Sequence, residues 1–547
     1  MTRYDHIVIG GGNTGCVVAA RLSEDPGRSV LLLEAGGSDR RLAVLMPAAA
    51  ITQFGTAIDW DYLTEPEPAL EGRRLRSPRG KVLGGCSSMN VLAYVRGNRV
   101  DYDEWAAAGA QGWSYDEVLP YFRRSEDNQD FCDEFHGRGG PLTVERLEHT
   151  DPIPSALVEG AVSVGLPRND DFNGASQDGV GAVQITRRNG VRLNASRAFL
   201  RPAMKRKNLT VALRAQVTRL VLDGTRAVAV EYLQNGRLVR AESTGDIVVS
   251  AGSFGTPALL QHSGIGPADH LRSVGITPVV DLPAVGAHLM EHPFASLPFE
   301  LTGGGVGMFD VQSPRHLAEW LVRRTGKLSS NIVETGGHWR TDSSAPAPNI
   351  QLMFAAAHFT DHGQEQWPAP TFTIAISYLR PSSTGSVLVP DNNPLTKPLV
   401  KYNLLSEARE VDEMVEAILL ARDIAASGPM KEFTGRPAGA LSAHTDRQQL
   451  SKALRQHCQH TYHPACTARI GTAQDGAVGP DLRVHGVSNL RIADVSVMPR
   501  ITRGNTQAPA YMIGEKAADL VLGRPPLPPR RTRVPAPADH AAESVTA

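Results

Sequence analysis

The sequence predicts two joined architectures: an α/β domain grown from a βαβ unit, and an α+β unit whose antiparallel sheet is backed by helices. Three observations carry this. The chain begins with a β-branched strand, Tyr4 to Ile9, followed by GGGNTG at 10–15, an apolar helix from Cys16, and a second apolar run, Val30 to Leu33, that ends in Glu34. From about Leu301 to about Leu454 the pattern changes to short alternating strands (NIQLMF, TFTIAISYL, GSVLVP) and one long helical stretch, Glu407 to Ala425. At 547 residues the chain also exceeds the roughly 250 to 300 residues at which single cores stop growing, so at least two domains are expected.

Gly10, Gly12 and Gly15 fit G-x-G-x-x-G at the junction of strand and helix. The first glycine makes the tight turn, the second lets a pyrophosphate approach the backbone, and the third lets helix and strand pack closely. Glu34 follows about 20 residues later, where an acid accepts hydrogen bonds from a ribose hydroxyl. The set predicts a dinucleotide site in a Rossmann-like domain, with an ordinary glycine-rich turn as the plain alternative. An acid at this place suits NAD and FAD alike.

Residues 47–78 read as loop and short elements. The next segment, Arg79 to Asn90 (RGKVLGGCSSMN), exposes amides that can cradle a phosphate or a flat ring, and equally can form a simple turn. Trp105, Trp113, Tyr115 and Tyr121 read as packing residues. Between Asn189 and Gly252 the chain reads as strands, with Asn235-Gly236 as a hairpin turn. After DIVVSAG, Thr256 is the expected N-cap and Pro257 the first residue of a helix, which would aim a second set of amides at the same place. The run HLMEH, His288 to His292, matches the H-x-x-E-H pattern of certain zinc peptidases. That chemistry needs a helix; Pro283, Gly286 and Pro293 argue for an extended turn instead, and no metal is expected. From Arg524 the chain is Pro-rich and poor in large apolar groups, so a disordered tail is expected over 524–547.

A net charge of −1 with 21% charged residues creates no field to recruit nucleic acid or an anionic membrane, which leaves a small molecule as the expected partner. No 18-residue apolar segment is present, and the first strand begins too early to leave room for a signal peptide, so a soluble cytoplasmic protein is expected. Cys16, Cys86, Cys132, Cys458 and Cys466 are scattered without C-x-x-C spacing and read as reduced thiols.

Taken in order, these segments resemble the glucose/methanol/choline family of FAD-dependent alcohol oxidoreductases, most of all its bacterial branch of choline-dehydrogenase-like alcohol dehydrogenases and oxidases. The resemblance spans Tyr4 to Leu522. It rests on GGGNTG with Glu34, on RGKVLGGCSSMN, and on GSFGTPALLQHSGIGP from Gly252. It continues through VGAHLMEHP, YHPACTARIG, LRIADVSVMP and GNTQAPAYMIGEKAADL. It implies FAD as the cofactor. Gly10, Gly12, Gly15 and Glu34 would hold its ADP half, Gly84, Gly85, Ser87 and Asn90 would lie along the pyrophosphate and flavin, and Asp494 would sit near its middle; Val217 completes the cofactor-binding set. Met89 stands where some members carry a histidine that links FAD covalently, so the flavin is expected to be non-covalent and released by acid. A discontinuous FAD-binding domain is expected over 1–155, 195–300 and 456–523, and a substrate-binding domain over 156–194 and 301–455.

The family's catalytic pair maps to His463 and Asn505. Read from the residues alone, His463 before Pro464 is more readily a structural histidine; the resemblance makes it the base. Hydride transfer from an alcohol carbon to flavin N5 requires the hydroxyl proton to leave, and a neutral imidazole can take it. The Asn505 amide can donate to the developing alkoxide, and a helix beginning near Pro509 can point its positive end at the flavin. The implied function is oxidation of a primary or secondary alcohol to a carbonyl, with electrons passing to oxygen or a quinone-type acceptor. The rate is expected to rise between pH 5 and 9 as the imidazole deprotonates. Rival readings are an FAD-retaining lyase, a flavin-binding protein without activity, and an NAD-dependent dehydrogenase. Cys466, Ile470 and His288 stand where the family often has glycine, methionine and asparagine; Cys466 would either narrow the pocket beside His463 or pack away from it. Glu334, His338, His358 and Phe359 are candidates to face the substrate, with Glu334 suited either to a cation or to a structural hydrogen bond.

Overall fold

The computed structural model describes residues 2–147 and 151–532. A five-stranded, all-parallel sheet organises the first body, in the order Leu209–Leu213, Val30–Glu34, His6–Ile9, Ile247–Val249, Leu490–Ile492. Its central strands are continuous apolar runs because both faces are covered: the helix Asn13–Leu22 contacts His6–Ile9 and Val30–Glu34, and strands 215–223 and 226–234 contact Val30–Glu34 and Ile247–Val249, respectively. The helix Asn13–Leu22 follows the first strand and packs against the C-terminal helix Gln507–Leu522, bringing the two ends of the chain into one core. A Cβ on Gly514 would come 2.9 Å from Val17 Cβ, so a small residue there sets how closely the two helices approach. A second, four-stranded sheet adds Thr2–Tyr4 to the meander formed by 215–223, 226–234 and 237–243. Asn235 and Gly236 make its tight turn, both at positive φ (52° and 75°), as a type I′ hairpin requires.

The second body is a mainly antiparallel sheet in the order Thr434–Pro437, Pro293–Leu301, Thr371–Tyr378, Ile350–Ala355, Thr335–Trp339, Gly179–Ala182, with Gln459–His460 also paired to Pro293–Leu301. One face buries Leu352, Phe354, Ile374 and Ile376 against Met414, Ile418 and Ala421 of the helix Ala408–Ala426. The other face carries Phe294, Met353 and Ala375. This is the expected α+β unit, with the strand period of two deciding which side chains meet the helix and which meet the cavity. The chain enters the sheet at Pro293, ahead of the expected boundary after Glu300, and its last strand, Gln459–His460, lies beyond the expected boundary after Arg455. The helix Pro152–Ser163, which straddles the boundary expected after residue 155, packs through Ile153, Leu157 and Val158 into this second core.

Two local expectations change. Thr256 and Pro257 do not start their helix; it spans Gly252–His262 and both lie inside it. The Asp494 carboxylate takes over the capping role from outside, accepting from Gly252 N at 2.9 Å and from Thr256 Oγ1 at 2.6 Å. The carbonyl of Ser253, which Pro257 cannot serve, accepts instead from Thr467 Oγ1 at 2.8 Å. Second, the segment from Arg524 does not begin as disorder. Residues 524–532 run extended along the helix Tyr115–Ser125, where Leu527 N donates to Tyr121 Oη at 3.2 Å and Arg530 N to the Asp116 carbonyl at 2.8 Å; residues 533–547 lie outside the described residues. HLMEH is extended, as expected, with His288 at φ 58° and a strand starting at Pro293. All five cysteines are unpaired, and among the described residues no helix is long and apolar enough to cross a membrane.

Candidate active site

One continuous cavity runs from Gly10 to Asn505 between the two bodies, and Gly12, Glu34, Gly85, Asn90, Val217, Asp494 and His463 line it as well. Its nucleotide end is made of backbone. Gly10 adopts φ 98°, and a Cβ there would sit 2.4 Å from the Ser250 carbonyl oxygen; one on Gly15 would sit 1.9 Å from the Gly10 oxygen. Gly12 differs: a Cβ there would meet nothing within 4 Å, because the residue faces the cavity. Glu34, 6% exposed, accepts from Gly11 N at 2.8 Å and Gly36 N at 2.6 Å. Burial pushes its carboxyl up to about 7 against the pull of these two amides. Lone pairs remain on both oxygens for ribose hydroxyls. The helices starting at Asn13, Gly252 and Gln507 all bring their first turns to this cavity; the positive end at Asn13 suits a pyrophosphate, the one at Gly252 is already capped by Asp494, and the one at Gln507 lies beside Asn505 at the reacting end.

The loop 84–90 closes on this end. Gly84 N donates to the Gly11 carbonyl at 2.7 Å and Ser87 N to Asn13 Oδ1 at 3.1 Å, so the two loops form one cradle. Gly84 and Ser87 build the loop without lining the cavity; the Ser87 hydroxyl donates to Gly84 O at 2.6 Å and accepts from Ala195 N at 3.0 Å. Gly15 likewise serves packing alone. Asn90 lines the cavity and donates to Gln507 Oε1. Asp494, buried, holds the start of the helix Gly252–His262 and accepts from Ser496 N at 2.8 Å; burial raises its carboxyl. Met89 lines the cavity near the middle, and its thioether offers no nitrogen for a link to flavin.

The other end is made of side chains. The strand Gln459–His460 pairs with Pro293–Leu301, then Tyr462 turns at φ 65° and sends His463 into the cavity. Non-glycine residues adopt such a φ only where their surroundings hold them. Arg79 Nη2 donates to the Tyr462 carbonyl at 2.9 Å, and the Tyr462 hydroxyl lies 2.7 Å from His362 Nδ1. His463 N donates to Glu291 Oε1 at 2.8 Å. His463 is 8% exposed, with Nδ1 3.1 Å from His292 Nδ1 and Nε2 3.2 Å from Asn505 Nδ2. Asn505 Oδ1 accepts from Gln351 Nε2 at 3.0 Å, so the amide turns its N–H toward His463. An amide N–H can only donate, and His463 Nε2 is therefore the unprotonated nitrogen, with the proton on Nδ1 shared toward His292.

Burial first, then the neighbouring His292 and Arg79, hold His463 down at about 3, with Glu291 opposing. The rise in rate expected between pH 5 and 9 is thereby corrected: the ring is already neutral across that window. Glu291, His292 and His463 place ligand-type atoms within 4.8 Å of one another. They do so along extended chain and through mutual hydrogen bonds, without the helical spacing that H-x-x-E-H requires. Sequence reasoning missed His292, Glu291 and Gln351. The first two stood inside HLMEH, which was read as a rejected zinc motif and as a turn of the family, with no role for either side chain; Gln351 carried no signal beyond its place in a strand.

Cys466 packs away from the cavity in the first body's core, and its φ of 73° gives the backbone reason glycine suits that position. Ile470 joins the same core, and His288 stays in its turn. Of the four candidates for the substrate wall, His358 and Phe359 line the cavity, whereas Glu334 and His338 do not.

A dinucleotide cradle at one end and a histidine–amide pair at the other define a flavin-dependent oxidoreductase. The chain belongs to the GMC oxidoreductase family, whose models match residues 4–294 and 381–514. It is 38% identical to an oxygen-dependent choline dehydrogenase from Vibrio vulnificus over 97% of this chain and 96% of that one. To the mitochondrial choline dehydrogenase of Homo sapiens it is 36% identical over 96% and 90%. Among solved structures, a formate oxidase variant from Aspergillus oryzae RIB40 superposes with TM-score 0.90 at 26% identity, covering 95% of this chain and 98% of that one. Pyridoxine 4-oxidase from Mesorbium loti superposes with TM-score 0.87 at 28%, covering 95% and 100%. The protein is an FAD-dependent oxidoreductase acting on CH–OH groups, and the lyase reading finds no support among these relatives.

Proposed function

We propose that the chain oxidises a primary or secondary alcohol to a carbonyl with His463 as the proton acceptor, Asn505 as the donor to the substrate oxygen, and oxygen or a quinone-type compound as the final electron acceptor. The observation that carries this is the orientation of the pair: a lone pair on His463 Nε2 and an N–H on Asn505 Nδ2, 3.2 Å apart, both at the cavity. FAD, when bound, supplies the two-electron acceptor, and the residues along 10–15, 34, 85–90, 217 and 494 are those that would hold it.

His463 draws the hydroxyl proton onto Nε2 as the carbon gives up its hydride, so that charge builds on the imidazole and not on the oxygen-bearing carbon. Asn505 donates to the same oxygen while it carries alkoxide character and fixes which C–H faces the acceptor. The new imidazolium shares its Nδ1 proton with His292 and lies close enough to feel the Glu291 carboxylate. The sheet face that carries Phe294, Met353 and Ala375 gives this cavity an apolar wall. The test is anaerobic mixing of holoenzyme with a panel of alcohols. Bleaching of the flavin by at least one alcohol, and its loss in His463→Ala, is the expected result; unchanged bleaching in that variant refutes the assignment. Admitting air, or a quinone, then identifies the acceptor by the faster return of colour.

A further inference from the structure

Building on the reading of His463 as proton acceptor, we propose that the substrate is an uncharged alcohol with an apolar aliphatic or aromatic body, and not the quaternary ammonium alcohol named in its choline dehydrogenase relatives. The wall facing His463 comes from the sheet face turned away from its helix. Phe294, Met353 and Ala375 pack there as one apolar cluster, joined by Val333 and Phe359. Met353 and Ala375 are direct cross-strand partners, and Phe294 meets Phe359 edge to face at 5.7 Å. A surface of this kind binds by shedding water from hydrocarbon.

The charges that line the cavity work against a cation. Among the described residues two carboxylates line it, and both stand at the nucleotide end: Glu34 accepts from two glycine amides, and Asp494 from Gly252, Thr256 and Ser496. The other charged lining residues are Arg79 and Lys397, both positive. Glu291, the buried carboxylate beside His463, does not line the cavity; it accepts from the His292 and His463 amides and lies 3.4 Å from His460 Nδ1. A quaternary ammonium has no N–H to donate, so a counter-charge or an aromatic face must replace its water. Here the aromatic faces would have to do so against the positive field of Arg79.

The decisive pair of substrates is choline and 3,3-dimethylbutan-1-ol, which has the same shape with carbon in place of the charged nitrogen. Measured as anaerobic flavin reduction by the holoenzyme, the neutral alcohol should exceed choline in kcat/KM by about 100-fold or more, the cost of leaving a buried cation unpaired. Benzyl alcohol and hexan-1-ol should also reduce the flavin. Ala375→Asp, which puts a carboxylate into the wall, should narrow the ratio; Ala375→Asn, of the same size without the charge, should not. Without turnover, tert-butanol, which has no C–H to give up on its carbinol carbon, should perturb the flavin absorbance, and tetramethylammonium should not. Choline matching or beating the neutral alcohol, while His463→Ala still stops reduction, overturns this inference and leaves the proton-acceptor reading standing. Failure of every alcohol to reduce the flavin overturns that reading, and this one with it.

Discussion

The two ends of the cavity are built in opposite ways. The nucleotide end is backbone supplied by a short stretch of chain, Gly10 to Glu34, with the loop 84–90 laid across it. The reacting end is side chains from the segments 291–294, 351–359, 373–375, 462–463 and 505–507, brought together by an antiparallel sheet and the start of the last helix. A backbone site depends on shape and fails when a Cβ is added. A side-chain site depends on orientation and fails in steps, as one hydrogen bond after another is removed. The two ends should therefore respond to mutation differently.

At the backbone end the expected loss is of the cofactor itself. Gly15→Ala places a methyl group 1.9 Å from the Gly10 carbonyl oxygen, with no flexible neighbour to yield. Purified protein should carry less than roughly a tenth of the normal flavin, read from absorbance per chain; normal flavin content would show that this end is not shape-limited. At the other end, His463→Ala should keep its flavin and lose roughly 10² to 10⁴ in the rate of reduction. If it lost flavin too, the two ends would not be independent.

A smaller loss tests orientation alone. Gln351→Leu leaves Asn505 Oδ1 without its donor and frees the amide to turn, so the rate of flavin reduction should fall about 10-fold, the equivalent of one hydrogen bond of roughly 1.4 kcal/mol. KM should change little, because Gln351 does not line the cavity. A rise in KM at constant kcat would instead mean that the residue shapes the pocket.

The same contrast explains what could be read in advance. Gly10, Gly12, Gly15 and Glu34 were legible because strand, turn, helix and acid lie within one short local pattern. The strand alternation around 350 and 371 disclosed a sheet, but not which face would meet a cavity, since that depends on the helix Ala408–Ala426 covering the other side. His463 and Asn505 were found only through resemblance, as no local rule links residues that far apart. His292 was in view inside a family turn, but no local rule brings it to His463, and the helix start at Gly252 was missed because its cap, Asp494, lies far along the chain. Ser87 looked available for a ligand until its hydroxyl proved to be used by Gly84 and Ala195.

The smallest expected effect is the most discriminating. An ordinary histidine titrates near 6.5, and a base of that kind would give a rate that climbs from pH 5 to 8. Burial keeps His463 neutral down to about 3, so kcat/KM for flavin reduction should stay within about twofold from pH 5 to 9. Stability should not stay flat. His292, held at about 4, and His338, His362 and His463, each at about 3, remain neutral in the folded chain, whereas the unfolded chain protonates all four below about 6.5. A group whose folded value is depressed makes folding less favourable as pH falls, once the unfolded form begins to take up its proton. Glu34, raised to about 7, works the other way between there and its ordinary value. From these five groups the apoprotein would bind a net of three more protons on unfolding near pH 5.5, a slope of roughly 4 kcal/mol per pH unit. Melting temperature should therefore drop steeply between pH 6.5 and 5 while initial rates hold. A rate that falls in step with an imidazole near 6.5, at constant melting temperature, would mean that the ring of His463 is solvated before the alcohol arrives.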